Sequence, residues 1–289
     1  MMSKLVGALI AGLILGIIYS GEATAAAAAP PAYGGEDVYS HTPFQVGEVA
    51  EYKVYYLGVF VGFGKMLVMP SLRYQGQLVR VFTGVARTGK WYEAIYKADD
   101  FVSAYSRATD FAVEKFYLRQ DEDKLFGSGT HLEKWFNFDH KAGKVSEVEV
   151  KKDQEISRET FDLQPGSTDT LSIFYRVRAD TFGPTLGEEK KYLLYSSKKN
   201  WWLKVTVLGR EELRVAAGTF ATVKLGIESY VGQQLEQKGP ITVWLAEKEP
   251  HRPLVKIEGT VKIGWVGLEL SSFIGQPASS PPAPPAVQH

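Results

Sequence analysis

Glu247, Glu249, His251 and Arg252 crowd into one short part of the stretch VWLAEKEPHRPLVKIEG, Val243 to Gly259. Two carboxylates and an imidazole this close can in principle ligate a metal ion or move a proton. The flanks argue for something plainer. Thr242, Trp244 and Ala246 alternate with Val243 and Leu245, and Val255 and Ile257 alternate with Lys256 and Glu258. That is the period of two expected of half-buried strands. Pro250 and Pro253 lack the N–H that a ladder needs and end both runs. The charged residues therefore read as the loop of a β-hairpin, where polar groups collect in any case. A metal site built from one such loop lacks the neighbouring ligands and second shell that metal centres use.

The other candidates for chemistry are weaker. His131 and Glu133 stand two apart on a strand-like stretch and share a face, without a third ligand. FGSGT, Phe126 to Thr130, has Phe where a nucleophile elbow needs its first glycine, and reads as a Gly-Ser-Gly turn. The remaining histidines are His41 and His289, in segments expected to be unpacked, and His140, expected in a hairpin turn. No phosphate loop and no dinucleotide-binding glycine pattern is present. Asp99-Asp100 and Asp121-Glu122-Asp123 are sequence neighbours, which on a strand point to opposite faces, and solvated turns are the expected setting. No catalytic, cofactor-binding or metal-binding residue is assigned on these grounds.

Aromatic side chains are the remaining signal. Tyr52, Tyr56, Trp91, Trp135 and Trp244 lie on several separate strand-like stretches. In a β-barrel, such residues either fill the core or line an apolar ligand cavity. Those five are the expected ligand-lining set, with core filling as the alternative.

The elements that must position them are mostly strands. AEYKVYYLG places Ala50, Tyr52, Val54 and Tyr56 on one face, and Glu51 and Lys53 on the other. Gly58 and Gly62 bracket a turn, and the return strand GFGKMLVM is expected to stop at Pro70. LEKWFNF and KVSEVEV flank DHKAG as a second hairpin, the latter strand bulged or at an edge. GKWYEAIY, Gly89 to Tyr96, reads as a short helix. A firmer helix is expected over 169–178, with Thr168 as N-cap and Leu171, Phe174, Tyr175 and Arg178 at helical spacing. Further alternating runs follow as far as WVGLELSSF. The fold class is mainly β: a single antiparallel β-barrel, half-barrel or curved sheet with one or two short helices.

Composition sets the surroundings. The chain has 289 residues, 33 basic and 33 acidic, and no cysteine. Charge neutrality argues against a nucleic-acid partner. Without cysteine there is neither a disulfide nor a site for N-terminal lipidation. Lys4 followed by the apolar run from Leu5 to Tyr19 and an Ala-rich stretch predicts a secretory signal peptide over 1–25. The apolar run is shorter than the ~20 residues of a spanning helix, so no transmembrane segment is expected after cleavage. A flexible leader is expected over 26–43, the β domain over 44–274, and a disordered Pro/Ala-rich tail over 275–289.

FQVGEVAEYKVYYLGVFVGFGKMLV, TDTLSIFYRVR, GTFATVKL and the Val243–Leu270 stretch, in this order and spacing, resemble the exported bacterial domain-of-unknown-function family three-one-zero-eight. The resemblance covers nearly all of Phe44 to Phe273. It implies an exported, mostly β protein of the cell envelope and supplies no catalytic residue. The expectation is a non-catalytic periplasmic protein that binds or carries an apolar small molecule or lipid and uses no cofactor. The alternative is an interaction or scaffold module with an envelope protein partner.

Overall fold

A computed structural model of the chain describes residues 41–125, 129–152, 154–236, 240–260 and 264–275. The expected signal peptide, most of the expected leader and tail, and residues 126–128 of FGSGT lie outside the described residues. The chain runs β1 (Val49–Tyr56), β2 (Val59–Tyr74), β3 (Gln77–Thr88), β4 (Tyr96–Arg107), β5 (Val113–Lys124), β6 (Thr130–Asp139), β7 (Lys144–Lys151) and β8 (Gln154–Asp162). The helix α1 (Ser172–Ala179) follows. The second half is β9 (Glu189–Ser196), β10 (Lys199–Val215), β11 (Gly218–Val231), β12 (Gln234–Leu235), β13 (Ile241–Ala246), β14 (Leu254–Thr260) and β15 (Trp265–Ile274).

All the strands join one antiparallel sheet ordered β8-β7-β6-β5-β4-β3-β2-β1-β15-β14-β13-β11-β10-β9, with β12 alongside β11. Two meanders thus meet edge to edge where β1 pairs with β15, Val49 opposite Ile274. The sheet is curved and is not closed: β8 and β9 are its two edges. Tight turns with two left-handed residues join several hairpins, at Leu57-Gly58, Gln75-Gly76 and Ser197-Lys198. Their backbone twist matches that of the paired strands.

The alternation in β1 holds: Ala50, Tyr52 and Val54 are buried and Tyr56 packs against the core. Pro70 does not end β2. The strand continues to Tyr74 through a register shift between Met69 and Leu72, and the bulge there takes up the missing N–H. Gly62 is needed for close approach, since a Cβ there would sit 2.1 Å from the Arg87 carbonyl oxygen. Gly89 to Tyr96 does not form a helix. It is a series of turns in which the Tyr92 N–H bonds to the Gly89 carbonyl and the Ile95 and Tyr96 N–H groups to the Tyr92 carbonyl. The segment is short and aromatic, and Tyr96 is taken by β4, opposite Lys124.

The helix α1 lies inside the curve of the sheet. It begins at Ser172, later than its sequence spacing indicates, with Leu171 at the N-cap position, and Asp169 rather than Thr168 meets the backbone N–H groups at its start. Asp169 Oδ1 accepts from the Leu171 and Ser172 N–H groups at 2.8 and 2.9 Å. Thr168 is otherwise engaged, in a parallel bridge to Leu194 of β9. One face of α1 presents Tyr175, which stacks on Phe82 at 3.8 Å with Phe44 edge-on to both. The other presents Ile173 and Val177 towards β9, β10, β13 and β14.

Arg178 fixes the helix in place. Its guanidinium forms a two-pronged pair with Glu48, at 2.7 and 2.9 Å, and donates to the His251 and Arg252 carbonyls at 2.7 and 3.1 Å. Glu48 is 1% and Arg178 2% exposed. Burial alone pulls the guanidinium pKa down, but the Glu48 charge and hydrogen bonds outweigh it and hold Arg178 above its ordinary value. Arg252 answers in the other direction, its Nη1 donating to the Arg178 and Asp180 carbonyls at the end of the helix. The EKEPHRP loop is thus a hairpin tip, and its work is to clamp α1. Glu247 pairs with Arg210, which also donates to the Phe182 and Gly183 carbonyls beyond the helix.

Two outcomes follow. Arg178→Met leaves Glu48 buried without its cation and should cost about 3–5 kcal/mol. Adding Glu48→Leu should recover part of that loss, measured by urea unfolding; a double variant no more stable than the single would show that the pair is not coupled. In the loop, Glu249→Ala and His251→Ala should each stay within about 1 kcal/mol of the parent, because both serve the clamp through main-chain carbonyls and the His251 ring adds only a tilted contact with Phe273. Arg252→Ala should lose about 1.5–3 kcal/mol. Equal thermal shifts for all three would contradict the clamp.

Candidate functional site

Inside the curve of the sheet, the β5–β6 face looks across a cleft of about 410 Å³ towards the β9–β10 hairpin. β5 supplies Phe116, Leu118 and Gln120, every second residue, and β6 supplies Lys134, Phe136 and Phe138 on the same face. The opposite wall is the β9–β10 hairpin, with Tyr195 and Lys198, and the floor is Asp169 and Thr170 just before α1. Beyond Thr170, which lines both spaces, lies a smaller cavity of about 80 Å³ walled by Ile173, Leu194, Val205, Val243 and Ile257.

The seam between the edges is held without a continuous ladder. The Thr168 N–H bonds to the Leu193 carbonyl and the Tyr195 N–H to the Thr168 carbonyl, at 3.0 and 2.9 Å. Adjacent residues of a strand point to opposite faces, so this bridge puts Leu194 into the smaller cavity and Tyr195 into the cleft. Asn200 donates to the Asp162 carbonyl and accepts from the Gln164 N–H. Lys198 pairs with Glu159 and lies over the Phe161 ring. His140 spans a neighbouring gap: its Nδ1 accepts from the Gly166 N–H, so its Nε2 carries the proton donated to the Val113 carbonyl.

Charge in the cleft is largely matched. Lys134 contacts Glu147 at 2.7 Å and Glu149 at 2.8 Å. Burial opposes its charge, but the two carboxylates prevail and raise its pKa, which withholds it from acting as a nucleophile or base at neutral pH. Asp169 is different. It is 2% exposed, and burial pushes its carboxyl up against the pull of Ser172 and nearby backbone N–H groups. Its Oδ2 has no hydrogen-bond partner among the described residues, and neither has the Tyr195 hydroxyl, whose ring packs edge-on to Phe138 at 5.6 Å. Burial also raises the Tyr195 hydroxyl, so it is protonated and able to donate.

The five aromatics read from the sequence go elsewhere. Tyr52 is buried in the core near Glu48 and Arg178. Tyr56 packs against the core margin, and Trp91 is 55% exposed in the turns before β4. Trp135 lies on the outer face of β6, against Tyr117 and under the Lys115 ammonium. Trp244 packs on Ala246 and Val255 and donates from Nε1 to Glu211 at 2.6 Å, on the face opposite Val243 and Leu245. None of the five lines either interior cavity. The signal that separates them was present in β5 and β6. Lys115, Arg119 and Glu133 mark the odd-numbered face as outward, which leaves Phe116, Leu118, Phe136 and Phe138 facing in.

The acidic neighbours also differ from expectation. Asp99 and Asp100 stand in β4, not a turn, and Asp100 is fully buried, accepting from the Asp121 N–H. Glu122 is buried in β5, close to Lys124. His131 sits exposed between Asp121 and Asp123, at 2.6 and 3.3 Å. Among the described residues, no group of three or more His, Cys, Asp or Glu is placed to hold a metal ion.

A comparison with curated proteins finds no match. Among solved structures, the chain is similar to a β-barrel-like protein of domain of unknown function DUF1849 from Brucella abortus. Identity is 11%, the alignment covers 81% of this chain and 99% of that one, and the TM-score is 0.50. It is also matched with a candidate exported protein of YmcC-like fold from Bacteroides fragilis, at 12% identity, 81% and 98% coverage and TM-score 0.33. A candidate lipoprotein from Parabacteroides distasonis gives 14% identity, 81% and 98% coverage and TM-score 0.35. The first supports the β-barrel-like architecture. No helix among the described residues is long and apolar enough to cross a membrane. The model of the family described as Protein of unknown function (DUF3108) matches residues 51–271, which is most of the chain, and the protein belongs to that family.

Proposed function

We propose that this protein is a non-catalytic, exported envelope protein that binds an apolar small molecule or lipid in the cleft between its β5–β6 face and the β9–β10 hairpin, in the periplasm. The observation that carries the reading is the cleft itself. A volume of about 410 Å³, walled by Phe116, Leu118, Phe136 and Phe138, falls in the range of small-molecule sites. The unclosed seam gives a ligand a way in that a fully hydrogen-bonded barrel would lack. The predicted signal sequence supports export. Lys134 and Lys198, the two amines on the walls, are both paired with carboxylates, which favours holding a ligand over transforming it.

The scaffold reading draws on the open edge of β8, which is exposed along most of its length. Glu155, Arg158 and Glu159 blunt that edge against strand addition, so the cleft is the better supported working surface.

The test is titration of the purified mature protein with N-phenyl-1-naphthylamine, a dye that brightens in apolar surroundings. One equivalent should bind. Leu118→Trp, which fills the cleft, should weaken binding about tenfold and leave the circular dichroism spectrum unchanged. No dye binding to a folded protein, or equal binding by the filled variant, would sink the reading.

A further inference from the structure

The cleft is apolar on one side and carries two unsatisfied polar groups on the other. Asp169 Oδ2 and the Tyr195 hydroxyl are both buried, both line the cleft, and both lack a hydrogen-bond partner among the described residues. Each is the residue that follows a partner in the isolated bridge, Asp169 after Thr168 and Tyr195 after Leu194, which brings both to the same end of the cleft. Buried polar groups left without partners are costly, and ones that persist beside a cavity are groups a ligand can satisfy.

The charges decide what kind of ligand. An anionic head would need a free cation, and the cleft offers none among its described residues. Lys134 is held by Glu147 and Glu149, and Lys198 by Glu159. An anion would also meet Asp169 and Glu147 on the same walls. A cationic head would suit Asp169 but offers no acceptor to the protonated Tyr195 hydroxyl, whereas a neutral head that both donates and accepts avoids the anion's penalties and serves both groups. Its donor suits Asp169 Oδ2 and its acceptor suits the Tyr195 hydroxyl.

Resting on the reading that the cleft binds an apolar molecule, we infer that its ligand is a neutral amphiphile, whose hydroxyl or amide head is bound by Asp169 and Tyr195 while its hydrocarbon part lies on Phe116, Leu118 and Phe136. The smaller cavity beyond Thr170 has walls suited to the end of such a chain.

The experiment uses four probes of one chain length: decane, 1-decanol, decanoate and decylammonium, each competing with N-phenyl-1-naphthylamine on the full mature protein. Decanol should bind at least fivefold more tightly than each of the other three. Tyr195→Phe keeps the ring against Phe138 and removes only the hydroxyl. It should weaken decanol about fivefold, the loss of one neutral hydrogen bond, and leave decane unchanged. Decane equal to decanol would show that the head is not read and overturn the inference while leaving the apolar site standing. Decanoate or decylammonium equal to or tighter than decanol would overturn the neutral assignment in the same way. If no probe displaces the dye and the dye itself does not bind, the binding reading fails and the inference with it. Because Tyr195→Phe could disturb the seam, its thermal midpoint is compared first, and Lys191→Ala, at an exposed position of β9 outside the cleft lining, serves as the control that should bind decanol as the parent does.

Discussion

The Glu48–Arg178 pair is the constraint on which the arrangement of the rest turns. Taking both charges out of water is expensive, and the interior offsets that cost only when the guanidinium finds its full set of acceptors. Here those acceptors come from two places far apart in sequence: Glu48, just before β1, and the adjacent His251 and Arg252 carbonyls of the β13–β14 loop. Arg252 then returns the favour to the helix carbonyls. Few placements of α1 satisfy all of these bonds together. The pair is therefore better understood as a register device than as a source of stability, with the Phe44–Phe82–Tyr175 stack supplying the apolar contact around it.

From that placement the cleft follows. Once α1 is held against β1, β3 and the β13–β14 loop, the segment before it must cross to the edge of β9, where Thr168 joins Leu194. The crossing divides the inside of the curved sheet. On one side, Ile173 and Val177 leave only a small apolar gap, and on the other, the faces of β5 and β6 stand away from the β9–β10 hairpin. A bridge one residue wide therefore both holds the sheet's ends near each other and decides which side chains of β9 look into which space.

Much of this was legible in the residues. Strict alternation in β1 and β13, turn residues in DHKAG, and the spacing of Leu171, Tyr175 and Arg178 each led to the element that forms. The EKEPHRP loop read correctly as a hairpin tip because two prolines leave no ladder to continue. What was not legible depended on partners distant in sequence. Pro70 is accommodated because β3 permits a bulge opposite it, and Thr168 loses its capping role because β9 claims its backbone. The clamp uses main-chain oxygens of His251 and Arg252, whose participation no side-chain pattern records. For the cleft, size was a poor guide. Trp135 and Trp244 attract attention, yet cations and carboxylates beside them mark outward faces, and the smaller Phe116 and Phe136 are the ones that turn in.

The pairing of β1 with β15 has a consequence for how the molecule comes into being. The first strand and the last are neighbours at the middle of the sheet, Val49 opposite Ile274. Until the final strand arrives, β1 presents an open edge in what will become the centre of the structure, and the two meanders have nothing to join them. Closing so long a chain segment adds only slowly to the entropic cost, but it delays folding, because the contact must wait for the whole chain. A chain formed from its N-terminus would thus carry its most vulnerable edge exposed until the last strand is complete.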